Sequence, residues 1–174
     1  GPTTTHTLDA YIDDWAISDA GAPATPQVTM AVPTGAGNYS NWTDGTGSTY
    51  AEVDEVPHDS GTTYLQNTAG IGSVAHTLAM QDTSTIGAVG AIAAVKAVAI
   101  MAESTSTTTL GGVRLRSNTT DRNSIPVDLG NTAYVAIQRI FTKDPDTAAA
   151  WTSGGVDALE VGPNKGTDSS SIRA

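Results

Sequence analysis

The chain is punctuated too often to build long helices. Beyond Ala20 its apolar residues come in short runs, and clusters of Gly, Pro, Asn, Asp, Ser and Thr interrupt most of them before an amphipathic helix could extend. Strand side chains alternate between two faces, so Val113-Arg114-Leu115-Arg116 offers one apolar row and one charged row. Runs of this kind, separated by turn clusters, predict an all-β fold: an antiparallel β-sandwich in which each sheet turns one face inward.

The same reading places the individual strands. Val28, Met30 and Val32 alternate with Thr29 and Ala31, which predicts a strand over 28–32. Others are expected at Tyr50–Val56, ended by Pro57 and a turn through Asp59-Ser60-Gly61, and at Thr62–Gln66, Ser73–Ala79 and Ala133–Thr142. Ala91–Glu103 is ambiguous, because alanine favours helix and Ile92, Val95, Ala99 and Ala102 fit a helical stripe. The alternation around Val98 and Ile100, between Gly-rich and Thr-rich flanks, favours a strand. Two short helical turns are expected within Asp146–Leu159, interrupted at Gly154-Gly155. The predicted core is Val98, Ile100, Val113, Leu115, Val135, Ile137 and Phe141.

Residues 1–47 read differently from the rest, as an extended N-terminal arm and loop-rich segment preceding a sandwich domain over 48–174. Pro23, Pro26 and Pro33 exclude continuous helix there. Before them, Leu8, Ile12 and Trp15 recur at helical spacing with Asp9, Asp13 and Asp14 between them. A small sandwich need not bury such anchors, so Leu8, Ile12, Trp15 and Trp42 are the expected partner-binding residues, in a segment that orders against its partner. The start of the chain lacks a basic region followed by an apolar one, so no signal peptide is expected.

Composition narrows the function. The absence of cysteine excludes disulfides, cysteine-based zinc sites and thiol nucleophiles. Only 15% of residues are charged, and Thr and Ser fill the polar positions, as suits a surface meeting other protein. A net charge of −10 repels phosphates and anionic headgroups, so neither nucleic acid nor membrane is an expected partner.

Candidate chemistry is sparse. Glu52, Asp54, Glu55 and Asp59 form the densest acidic cluster, without EF-hand spacing, and read as a charged strand edge rather than a calcium site. His6, His58 and His76 lack a second histidine at ligand spacing. His58-Asp59-Ser60 are consecutive and cannot readily aim at one another as a triad; turn chemistry accounts for them better. The Gly-rich stretches lack the phosphate-loop pattern. No metal, cofactor or enzymatic activity is expected. Trp15, Trp42 and Trp151 suit packing, or alternatively a sugar-stacking platform.

Two stretches carry a family resemblance. Tyr50–Leu65, with its Glu-x-Pro, Asp-rich turn and Thr-Thr-Tyr-Leu, resembles a segment of tailed-bacteriophage structural proteins that joins two strands. From Asn131-Thr-Ala-Tyr134 through Phe141, Asp144-Pro145, Ala150-Trp151-Thr152 and on to Gly162, the chain is similar to the end of the same family: strand, Asp-Pro turn, short helical turn, final strand. The resemblance implies a jelly-roll-like sandwich of the virion. It leaves capsid surface, tail and fibre open; a compact single sandwich with an extended polar arm suits a clamp between capsomers, so a capsid decoration or cement protein is expected, at the capsid surface rather than in the tail. Its partners would be the major capsid protein, other virion proteins and further copies of itself, as a homo-oligomer, a trimer by expectation. A carbohydrate-binding module, tail-borne or free, is the alternative.

Overall fold

The computed structural model describes residues 27–44, 50–59, 61–67, 75–87, 90–103, 109–130, 132–166 and 172–174. Leu8, Ile12, Trp15 and His6 lie outside them, as do Ser60, Ser73 and Val74. Two antiparallel sheets pack face to face. The first runs β1 (Pro33–Ser40), β4 (His76–Met80), β10 (Leu159–Lys165), β6 (Leu110–Ser117), β7 (Thr120–Asn123), and β8 (Val127–Asp128) also pairs with β6. The second runs β2 (Thr43–Asp44), β3 (Leu65–Asn67), β11 (Ile172–Arg173), β5 (Val95–Glu103), β9 (Val135–Phe141). Most successive strands lie in opposite sheets, giving a jelly-roll-like β-sandwich. Between the inner faces lie Trp42, Leu65, Leu78, Met101, Val113, Leu115, Ile137, Phe141, Trp151, Leu159 and Ile172.

The alternation at Val113–Arg116 is realised in β6, with Val113 and Leu115 buried while Arg114 and Arg116 face outward. A tight reversal at Asn118, whose φ of 51° a short polar side chain tolerates, returns the chain as β7, pairing Ser117 with Thr120. Ala91–Glu103 contains a strand, β5, but its faces are the reverse of those expected. Ala97, Ala99 and Met101 are buried, whereas Val98 is 40% exposed and Ile100 is only partly covered. The small residues face inward because β5 crosses β6 and β10, whose Val113, Leu115 and Leu159 already occupy the interior. In β9 the expected face is right for Ile137 and Phe141, but Val135, at the open end of the strand, is exposed.

Other boundaries move. Val28–Val32 forms no strand: Val28 is 84% and Met30 60% exposed, and reciprocal hydrogen bonds between Val32 and Gln81 tie the end of the segment down. The strand forms one step later, over the Gly-containing Pro33–Ser40. There Gly37 lies so close to β4 and β10 that a Cβ would stand 2.5 Å from the Thr77 carbonyl oxygen and 2.6 Å from Glu160 Oε2. Tyr50–Val56 makes turns, with Val53 N donating to Tyr50 O. The helix α1 (Ser153–Asp157) passes through Gly154-Gly155 rather than breaking there, since Thr152 caps it by accepting from Gly155 N. Both β1 and β2 precede residue 47, where the domain boundary was expected, and both are paired into the sandwich.

Candidate protein-binding surface

The two sheets part along one flank. β9 is the end strand of its sheet, paired with β5 alone among the described residues, while β7 and β8 end the opposite sheet. Between these edges runs an open groove of about 550 Å³, lined by Ile125, Val127, Ala136, Ile137, Gln138 and Arg139. It continues past Arg139 into a shallower depression bordered by Arg122, Ile140 and Lys143. Ile125, on the turn between β7 and β8, is 86% exposed, and Ile140 on β9 is 61% exposed; Val127 and Val135 are also exposed. Leaving apolar surface in water forgoes about 25 cal/mol per Å², and exposed apolar patches of this kind mark contact surfaces.

Of the groove lining Arg139 is the cation, and further cations stand along the same flank of an otherwise acidic protein. The Arg139 guanidinium stacks 4.8 Å from the Phe141 ring centroid and donates to the Asn123 carbonyl, which joins the edges of the two sheets. Arg122 and Lys143 stand exposed nearby, and the exposed Lys96 lies opposite Ile140 in the β5–β9 ladder.

The outer face of the first sheet, by contrast, is closed by its own residues. The close approach at Gly37 lays Asn38 and Tyr39 across the sheet. Glu160 accepts from Asn38 N, Asn38 Nδ2 and Thr77 Oγ1, while Tyr39 donates to Asp121 Oδ2 at 2.5 Å. Arg116 donates to Asp121 Oδ1 at 2.9 Å, and both Arg114 and Arg116 stack over the Tyr39 ring. Burial pushes the Asp121 carboxyl up, but the bonds from Tyr39 and Arg116 outweigh it and hold it below the usual range; the bond to Asp121 in turn raises the Tyr39 phenol.

The Asp-Pro turn after β9 is equally self-satisfied. Buried Asp144 accepts from Ser117 Oγ at 2.5 Å, Asp146 N at 2.9 Å and Thr147 Oγ1 at 3.0 Å. Asp146 accepts from Asn118 and Thr120, so the turn clamps the β6–β7 hairpin. Burial disfavours the Asp144 anion, yet the bond from Ser117, with the others, leaves its pKa lowered. A carboxyl with a depressed folded-state pKa contributes stability that is present above the ordinary carboxylate range and lost as pH falls through the folded value. Melting temperature should therefore hold from neutrality to about pH 4 and fall below it. Asp144→Asn should lower the neutral plateau and flatten this acid limb in thermal melts followed by circular dichroism; a variant with an unchanged acid limb contradicts the assignment.

The residues singled out in the sequence are distributed as follows. Trp42 is buried, and its backbone N–H donates to Nδ1 of buried His76 at 3.3 Å. Trp151 is buried too, its indole N–H bonded to the Phe141 carbonyl at 2.8 Å. Neither ring is available to stack on a sugar. Asp59 accepts from Gly61 N, Thr62 N and Thr63 N, and the single hydroxyl proton of Thr63 lies within reach of both Asp59 Oδ2 and Glu55 Oε1. The bond from the Thr63 hydroxyl, foremost, lowers the Asp59 pKa. His58 packs against Tyr134, ring centroids 4.5 Å apart. Among the described residues, no three His, Asp or Glu side chains are grouped to hold a metal ion.

The groove residues Ile125, Val127 and Arg139 were not singled out by sequence reasoning. A signal was present: Ile125 and Val127 flank Pro126 in a turn between strands, where apolar side chains have no core to enter. No family model, curated protein or solved structure matches the chain.

Proposed function

We propose that this chain is a non-enzymatic structural protein of a tailed-bacteriophage virion, a capsid decoration protein that stabilises the shell through protein–protein contacts. The observation that carries the reading is the contrast between its surfaces. Several groups of catalytic type are spent internally: His76 packs in the core, and Asp59, Asp121 and Asp144 accept donors from their own turns and strands. Ile125, Val127, Val135 and Ile140, meanwhile, leave exposed apolar surface along the β9 flank, as a protein-contact surface requires.

The acidic balance supports attachment to protein rather than to packaged genome. A jelly-roll-like sandwich and the resemblance of Tyr50–Leu65 and of the stretch ending at Gly162 point the same way. Electron cryomicroscopy of purified particles of the source phage tests the proposal. Density for the sandwich is expected on the capsid surface; finding it in the tail rejects the decoration role, and its absence from the particle rejects the virion role altogether.

A further inference from the structure

We infer that the groove between β9 and the β7–β8 turn receives the N-terminal segment of a second copy of this chain, with Leu8, Ile12 and Trp15 covering its apolar floor. The inference deepens the assembly reading above and rests on three observations. The first is chemical fit. Residues 1–26 contain Asp9, Asp13, Asp14 and Asp19 but no Lys or Arg, while Arg122, Arg139, Lys143 and Lys96 stand along the groove and the adjoining face of β9. Leu8, Ile12 and Trp15 have the i, i+4, i+7 spacing of anchors that dock in an apolar groove, and Ile125 and Val127 provide exposed apolar surface for them.

The second observation is direction. The chain enters the sandwich at β1, at the opposite end of its sheet from β7. In the described residues just before Val32, Val28 and Met30 point into solvent rather than onto the sheets of their own chain. A neighbour beside the β1 edge is therefore the natural recipient.

The third is reach. The residues between Trp15 and Pro33 can extend about 60 Å at roughly 3.3 Å each, whereas a five-strand sheet is only about 20 Å across at about 4.8 Å per strand spacing. One copy's segment in the next copy's groove is a head-to-tail contact, which closes into a ring when the rotation permits.

Sedimentation velocity on the full chain tests this with two variants, Trp15→Ala on the segment and Ile125→Asp in the groove. Ile125 is so exposed that its replacement should leave the melting temperature unchanged. Wild type should self-associate, and each variant should weaken association about thirtyfold, the scale of an interface hot spot. Because a Trp15→Ala copy keeps its groove and an Ile125→Asp copy keeps its segment, an equimolar mixture should form a dimer through one intact junction. A monomeric wild type overturns the inference, including when the segment folds into its own groove or the groove awaits a different protein. So does a mixture that stays monomeric. Particle binding measured in parallel separates the two proposals: particles that lack the protein reject the virion role, whereas loss of self-association in the variants supports the junction in either case.

Discussion

Gly162→Ala should be among the most damaging single-methyl additions to this protein. Gly162 lies in the central strand β10, opposite Arg114 of β6, and its Cα faces β4 at close range. A Cβ there would overlap the His76 carbonyl oxygen and sit 3.0 Å from its carbon and 3.1 Å from Thr77 Cα. These atoms are backbone and cannot rotate away. Relief requires β4 to move, and with it β1 and the Asn38–Tyr39 cover that β1 lays over Thr77 and Glu160. The expected loss is about 3 kcal/mol or more, the upper end for overpacking, seen as a fall of roughly 6–12 °C in melting temperature. Gly154→Ala is the control, since a Cβ at that helical position meets nothing within 4 Å and should be neutral or slightly stabilising. Equal melting temperatures for the two variants would refute the close approach of β10 to β4.

Trp151→Ala should cost about 3–5 kcal/mol, measured by urea unfolding. Its ring fills the core where β9, α1 and β10 converge, its backbone bridges to Ile92, and its indole N–H satisfies the Phe141 carbonyl. Truncation leaves both a cavity and an unpaired acceptor. Trp151→Phe separates these terms, because it keeps most of the volume while losing the donor, and should cost only about 1–3 kcal/mol. If the two variants are equally destabilised, the hydrogen bond rather than the volume dominates and the core placement of the ring is wrong.

Much of the fold was legible because strand periodicity is local. β6 and β9 coincide with the clearest alternations, Val113–Arg116 and Ala133–Thr142, and the preference for a strand at Ala91–Glu103 holds in β5. Turn chemistry was legible at Asp59 and at Asp144-Pro145, where Asp side chains accept from amides a few residues away. The candidate surface was much less so. Ile125 lies on a turn between two strands of one sheet and Arg139 in a strand of the other, and only folding sets them beside one another. Trp42, expected at a partner, is buried in the sandwich of its own chain, a result that its flanking Asn and Thr did not signal.

By itself, then, the sequence determined the β class, the antiparallel sandwich, the main strands and the acidic, cysteine-free surface, because each follows from periodicity, turn residues or a sum over composition. The tertiary structure decided which face of β5 turns inward, where β1 begins, and which apolar side chains are left at the flank. In β5 both rows are apolar at the centre and carry one charge near an end, Lys96 or Glu103, so alternation alone does not choose between Val98-Ile100 and Ala97-Ala99-Met101; the space left by Val113, Leu115 and Leu159 on the opposing sheet makes the choice. Gly37 and Gly162 look like weak points in their strands, yet they are where a neighbouring backbone comes too close for any side chain, and that proximity exists only once the sheets have formed.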